Sequence, residues 1–289
     1  MAGRGVLGTD PALFFRGDSM IIGIDIGSTT TKAVAIDPGG AMKKIKTKAI
    51  DVVTSATGAF GKIIVENDIK MDEIRKIVVT GVGASKIKNN LFGIPTEKID
   101  EFTAIGIGGM FLAKKDNIII ANIGTGTAFI EARKDKISHL GGTGVGGGTV
   151  LGLAKKLLML SHFNGIMELA EQGNINQVDL LLEDIMDRDI SFLHKETTAS
   201  NFGKMLDSAK NEDIALGLLN LMYQVVGIIS VFAAKSKNID RILVTGSGSD
   251  NAIGKRILTS ITAMYGVQFE YPRDAEYTTA IGAALSQVR

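Results

Sequence analysis

One pattern in this chain constrains its fold more than any other, and it occurs twice. An apolar run with no alternation, Met20–Ile26, ends in Asp25-Ile-Gly-Ser-Thr-Thr-Thr-Lys32 and turns into a second β-branched run, Ala33–Asp37. The same order returns at 117–133: the run Ile118–Ile123, the turn Gly124-Thr-Gly-Thr127, then Ala128–Arg133. Continuous apolar runs bounded by turn residues read as strands buried on both faces. Each is followed at once by a partner strand, so each half opens with an antiparallel hairpin. The chain therefore reads as a weak internal duplication with a Gly/Thr hairpin in each half.

The remaining signals fit a layered α/β protein. Third strands are expected at Lys43–Ile50 and Lys136–Leu140, with further strands at Lys76–Thr80, Glu97–Ile99, Arg241–Thr245 and Val267–Tyr271. Helices are expected at Gly58–Asn67, from Asp100-Glu101 to about Lys114, from about Thr149 to Leu160, over 164–188, over Asp213–Lys237 with Asn211 as cap, at Ala252–Tyr265 and at Thr278–Gln287. Ser191–Leu206 reads as an irregular flap. Strands alternating with helices mean layers of both, and the hairpin openings make the sheets mixed rather than purely parallel. Residues 1–19 do not resemble the rest and read as an expression leader outside the fold; Leu13–Phe15 is too short an apolar run for a signal peptide. The expected organisation is an N-terminal lobe over 20–116 and a C-terminal lobe over 117–289.

Composition excludes several classes. There are no cysteines, so disulfides, thiolate zinc sites and iron–sulfur clusters of the chain's own are ruled out. His139, His162 and His194 are too scattered to suggest a metal site. Lys and Arg number 32 against 31 Asp and Glu, which leaves no basic field for nucleic acid. No apolar run is expected to reach the roughly 20 residues of a membrane span. A cytoplasmic enzyme is the default, with no nucleic-acid or membrane partner.

Glycine placement carries the chemistry. In the first hairpin Gly27 lets backbone approach a ligand, and Ser28, Thr29, Thr30 and Thr31 offer amides and hydroxyls to phosphate oxygens. Lys32 adds a cation. Asp25 at the strand end can hold Mg²⁺, directly or through water. The second hairpin, Gly124, Thr125, Gly126 and Thr127, repeats this without charge. Either hairpin alone is also an ordinary β-turn; the pair suits the two ends of a polyphosphate. The block Gly141-Gly-Thr-Gly-Val-Gly-Gly-Gly-Thr149 has six glycines in nine residues. It precedes an apolar helix, and amides at a helix start favour anions. On that ground Gly146, Gly147, Gly148 and Thr149 are expected to contact phosphate rather than form a plain linker. Gly246 and Ser247 follow a strand, where nucleotides sit in α/β folds, though a simple loop fits equally. Glu101 beside Asp100 opens a helix. One acid suffices to cap it; the other is then available as a base for a substrate hydroxyl. No Walker A pattern is present.

Together these segments resemble the type II pantothenate kinases over essentially all of Met20–Arg289. The resemblance rests on Gly23–Lys32, Asp100-Glu-Phe-Thr-Ala-Ile-Gly106, Asn122–Thr127, Gly141–Leu153, Val244-Thr-Gly-Ser247 and Tyr277-Thr-Thr-Ala-Ile-Gly-Ala283. It implies an actin-like ATPase (ribonuclease H-like) duplicated fold, with mixed sheets flanked by helices, and a homodimer. It also implies ATP- and Mg²⁺-dependent phosphorylation of pantothenate, the first step towards coenzyme A. By resemblance Glu101 matches the catalytic base, while Asp25 and Lys32 match magnesium and phosphate positions. Glu101, Thr125 and position 139 fall on the substrate side. Two residues depart from the family: His139 stands where an arginine is usual, and Ala128 where a serine is usual. A dehydratase activator of the same fold would need cluster-binding cysteines that this chain lacks. A sugar-type kinase or a non-enzymatic nucleotide-binding regulator are the other readings.

Overall fold

The computed structural model describes residues 19–186 and 194–287. The proposed leader therefore lies almost wholly outside the described residues, as do 187–193. Two five-stranded sheets form the frame. The first has the order β3-β2-β1-β4-β5, from Met42–Lys48, Thr30–Ile36, Met20–Ile26, Ile74–Thr80 and Thr96–Lys98. The second has the order β12-β11-β6-β7-β8, from Gln268–Glu270, Arg241–Thr245, Asn117–Ile123, Thr127–Arg133 and Ile137–Thr143. Read from the opposite edge, the second order repeats the first, strand for strand. The duplication expected from the hairpins thus extends to the whole sheet. With helices on the sheets, this is the actin-like ATPase architecture.

Seven α-helices accompany them among the described residues: α1 Val52–Asn67, α2 Glu101–Ala113, α3 Gly147–Leu157, α4 Phe163–Ala170, α5 Asn211–Ser236, α6 Ala252–Tyr265 and α7 Thr278–Leu285. Contacts divide the chain into two units. The first contains the chain up to Ile120, Ile130–His139 and the chain from Pro272 onward; the second contains Ala121–Phe129 and Leu140–Tyr271. Both Ile130–His139 and the last helix return to the first unit.

Inside the first unit β1 obeys a period of two. Ile22, Ile24 and Ile26 face α1, packing with Ala56, Ala59, Phe60 and Ile63. Ile21 faces the other way, among Ala104, Ala280, Ile281 and Ala284 of α2 and α7. Each such fully buried isoleucine contributes about 1.5–3 kcal/mol. Small residues bring these layers unusually close. A Cβ on Gly23 would overlap the Ala280 carbonyl, and a Cβ on Gly282 would overlap that of Ala104. That close packing explains why the closing helix belongs with the first unit.

In the second unit α5 packs against α3, α4 and α6. A short pair, β9 (Leu180–Leu181) with β10 (Thr198–Ser200), lies within the segment expected to be helix and flap. It is anchored by the fully buried Asp179. This carboxylate accepts from Asn220 Nδ2 at 2.7 Å, Thr198 Oγ1 at 3.1 Å, Asn201 Nδ2 at 3.1 Å and the Phe202 amide at 2.8 Å.

Several boundaries differ from expectation for local reasons. α1 starts at Val52, six residues before Gly58, because Asp51 accepts from the Thr54 amide at 2.9 Å and overrides the poor propensity of Val52, Val53 and Thr54. The expected helix over 164–188 stops at Ala170; Gly173 and Asn174 break it, and two 3₁₀ turns with β9 between them follow before 187. Asn211 is the first residue of α5 rather than its cap; the Asp213 carboxylate closes the start by accepting from the Lys210 amide at 2.8 Å. α5 also corrects the membrane expectation. It is long and apolar enough to span a bilayer by length and composition, but most of it is buried inside the protein, as in a core helix.

Candidate active site

The first hairpin is tighter than its sequence suggested. β2 begins at Thr30, so the loop is only Gly27-Ser28-Thr29, and Thr31 and Lys32 are buried strand residues. Ser28 and Thr29 remain exposed at the tip. The register sets Asp25 directly across from Lys32 on one side and from Thr80 of β4 on the other. Gly81 follows with φ +86°, and a Cβ there would lie 2.7 Å from Asp25 Oδ1. Only glycine fits both this backbone and this contact. Burial pushes the Asp25 carboxyl up to about 6, against the downward pull of Lys32. Burial also lowers the Lys32 ammonium, with Asp25 opposing.

Glu101 completes a charged cluster with these two. Asp100 is the cap of α2: its Oδ1 accepts from the Thr103 amide at 2.9 Å and from Thr103 Oγ1 at 3.1 Å. Glu101 is therefore released from the capping role. Burial, reinforced by the nearby Asp25 and Asp100 charges, pushes its carboxyl up to about 7, with Lys32 pulling the other way. A carboxyl that changes charge near neutrality, close to a lysine and a second carboxyl, suits proton transfer. The next residue, Phe102, stacks on His139 with ring centroids 3.9 Å apart and planes 3° apart. One turn later Gly106 lets the helix settle onto the Ile137 side chain. Positions 102 and 106 share a helix face and 137 and 139 share a strand face, so the start of β8 braces the start of α2.

In the second unit the other hairpin is also Gly124-Thr125-Gly126 between strands, matching the first loop in length. The Gly-rich block differs from expectation. Gly141–Thr143 finish β8, while Gly147, Gly148 and Thr149 already form the first turn of α3. Their amides are committed within the protein. Gly147 donates to the Gly124 carbonyl and Gly148 to that of Thr125, each at 2.9 Å, and Thr149 donates to Gly146 at 3.0 Å. The Thr149 hydroxyl donates to Gly144 at 2.8 Å and accepts from the Gly146 amide at 3.3 Å. The Thr127 hydroxyl donates to Val145 at 2.9 Å. The block thus clamps the hairpin from behind, and its glycines permit the close approach.

The loop after β11 mirrors the loop after β4. Gly246 has φ +82°, close to Gly81, and its Cβ would overlap the Ile123 carbonyl. Gly248 donates to that carbonyl at 3.0 Å, as Gly83 does to Ile26 at 3.3 Å. Thr245 replaces Thr80 and donates to Asn122 Oδ1 at 2.9 Å. Asn122 occupies the place that Asp25 has in the first hairpin.

Asp25, Lys32 and Glu101 are thus gathered in one unit, with Phe102 and His139 bracing Glu101. Thr125, the second hairpin, the Gly-rich block and the loop from Gly246 to Ser249 are gathered in the other. Sequence reasoning passed over Thr80 and the need for glycine at 81. The signal was available: Val79-Thr-Gly81 and Val244-Thr-Gly246 are the same tripeptide. It also gave no role to Tyr223, which sits on an apolar helix with no local motif.

Comparisons with known proteins bear on the same chain. Residues 117–286 match the family described as Fumble. The chain is 33% identical over 280 residues to a type II pantothenate kinase of Bacillus anthracis, covering 91% of this chain and 96% of that protein. Among solved structures it resembles the activator of the 2-hydroxyisocaproyl-CoA dehydratase from Clostridium difficile with bound ADPNP (TM-score 0.67, 18% identity, 93% and 94% of the two chains). It also resembles component A of the (R)-2-hydroxyglutaryl-CoA dehydratase of Acidaminococcus fermentans (TM-score 0.66, 18% identity, 93% and 97%). At that identity the structural likenesses speak to the fold alone.

Proposed function

The chain belongs to the type II pantothenate kinase family, and from that premise we propose that it transfers the γ-phosphoryl group of ATP to pantothenate, giving 4′-phosphopantothenate and ADP. This is the entry step of coenzyme A synthesis, carried out in the cytoplasm. The observation that carries the mechanism is the division of labour at the start of α2. Asp100 caps the helix, and Glu101 is left as a carboxyl pushed up to about 7 beside Asp25 and Lys32. In its ionised form Glu101 accepts the proton of the acceptor's primary hydroxyl as that oxygen bonds to the γ-phosphorus. The bond to the bridging oxygen breaks, and ADP leaves with the electron pair. Phosphoryl transfer asks mainly for positioning and charge neutralisation, so Lys32 and the two hairpins do most of the remaining work.

Asp25 is the residue that would hold Mg²⁺. Its carboxyl is disfavoured as an anion where it stands, so a cation beside it would be stabilising. Among the described residues no group of three or more His, Asp or Glu side chains is disposed to bind a metal. One carboxylate with phosphate oxygens and water is the usual Mg²⁺ arrangement, and the ion would neutralise developing phosphate charge. Gly246 and Ser247 are assigned to the adenosine side and Thr125 to the acceptor side. For assembly we assign a homodimer through α5. Leu221, Val225, Ile228 and Ile229 stay half-buried there and Phe232 exposed, forming one stripe at helical spacing.

The test is ADP release from the purified chain with Mg²⁺-ATP, with and without pantothenate, and detection of phosphopantothenate by mass. Pantothenate-dependent release supports the assignment. ATP binding without stimulation would move the acceptor to another small hydroxylated compound, with His139 and Ala128 as the residues responsible.

A further inference from the structure

Tyr223 is the largest fully buried side chain among the described residues, at 1% exposure on α5. Its hydroxyl is the one polar atom of that ring, and it donates to the Gly248 carbonyl at 2.7 Å. Gly248 is held from the other side as well, because its amide donates to the Ile123 carbonyl at 3.0 Å. The ring can reach this point only because α6 yields space. Gly254, in the first turn of α6, lies directly against the ring, where any Cβ would overlap it. Gly227, one turn further along α5, gives Ile261 and Leu258 of α6 the same close approach. The loop is closed internally too: Ser249 Oγ donates to the Gly246 carbonyl at 2.7 Å.

Two independent anchors therefore meet at one residue of the loop after β11. Ile123 is also the residue immediately before Gly124, so the loop and the second hairpin share a support. We propose that Tyr223 is a positioning residue for nucleotide binding: its hydroxyl sets the Gly246–Ser249 backbone before ATP arrives. It does not touch the nucleotide. The inference rests on the assignment of that loop to the nucleotide. A tyrosine is needed rather than any apolar ring because the Gly248 carbonyl is buried, and a buried acceptor without a donor is unfavourable.

Tyr223→Phe removes one oxygen and keeps the ring. The expected result is about fivefold weaker binding of a non-hydrolysable ATP analogue, measured by calorimetry on the full chain, as for loss of one buried hydrogen bond. KM for ATP rises correspondingly, while KM for pantothenate and kcat stay near wild type. Unchanged analogue binding with a lowered melting temperature would overturn the proposal and leave the hydroxyl a stability role only. An equal rise in both KM values would overturn it too. A wild-type chain that binds the analogue but phosphorylates no pantothenate defeats the acceptor assignment alone, and the Y223F binding comparison still decides this inference. A wild-type chain that binds no analogue defeats both. If Y223F does not fold, amide exchange of the wild type decides: the Gly248 amide is expected to exchange slowly without nucleotide, and fast exchange that slows only on analogue binding contradicts a preset loop.

Discussion

The two hairpins are built alike and charged differently. Both close on a loop led by glycine, both are followed by a Val-Thr-Gly strand end with φ above +80° at the glycine, and both sheets share one strand order. Where the first has Asp25 the second has Asn122, and where the first has Lys32 the second has Phe129. The first threonine, Thr80, has no hydrogen-bond partner for its hydroxyl in the structure. The second, Thr245, is bonded to Asn122. The second hairpin is moreover clamped by the Gly-rich block through the Gly147 and Gly148 amides, while the segment after β3 reaches the first through the Ala49 amide, which donates to the Thr29 carbonyl at 2.9 Å. Duplication supplies a frame twice; one copy carries the aspartate–lysine pair and the other carries neither charge. Buried charge alone does not separate the copies, since Asp179 is fully buried in the second unit; the first hairpin differs in carrying an aspartate and a lysine directly across from each other.

The largest expected effect breaks the charged half. Glu101→Gln should lower kcat by about 10²–10⁴ while an ATP analogue still binds, as loss of a general base predicts. Equal loss of analogue affinity would instead make Glu101 structural. The same variant tests the cost of the charge. The Glu101 carboxyl lies above its ordinary value of 4.5, at about 7, so the folded state favours the proton. Its contribution to stability is complete below 4.5 and is lost as pH rises through about 7. At pH 8 the Gln variant should therefore be more stable than wild type by about 1–2 kcal/mol, allowing for solvent around a half-buried group, and no more stable at pH 4. Thermal melts at both values decide. The kcat of the wild type should rise with pH over that same range.

Next in size is the shared frame. Gly81→Ala and Gly246→Ala should each destabilise by about 1–3 kcal/mol, since both place a Cβ at positive φ against backbone. Similar losses sharpen the equivalence of the two halves; a neutral change at either breaks it. The smallest effect concerns the brace on α2. His139→Phe should keep the stack on Phe102 and nearly wild-type kcat, whereas His139→Ala should lower kcat severalfold. If both raise the KM for pantothenate alike, the imidazole nitrogens contact the acceptor and the stack is incidental.

Much of this was legible in residues 20–36 and 117–133, because buried strands and glycine turns are local signals. β1, β11 and α6 begin and end where their patterns say. The start of β2 was not legible: Thr30 and Thr31 are equally good turn and strand residues, and pairing with Ile26 decides between them. The internal bonds of the Gly-rich block were hidden for a similar reason. Sequence shows that amides are present at a helix start, but not that Gly124 and Thr125 already accept them. Glu101 was legible only as one of two acids, until the Asp100 side chain was found on the Thr103 amide. Tyr223 and the return of α7 to the first unit depend on partners far along the chain, so no window of sequence contains them.

The division between a chemical half and a holding half is tested most directly by exchanging its defining residues, with turnover and ATP-analogue affinity measured side by side for Asp25→Asn and Asn122→Asp. The account predicts that D25N loses turnover by about a hundredfold or more with analogue binding largely kept in the absence of Mg²⁺. It predicts that N122D, which keeps an acceptor for the Thr245 hydroxyl but puts a carboxylate behind the holding hairpin, loses analogue affinity first. Two variants that lose the same property to the same degree would contradict it.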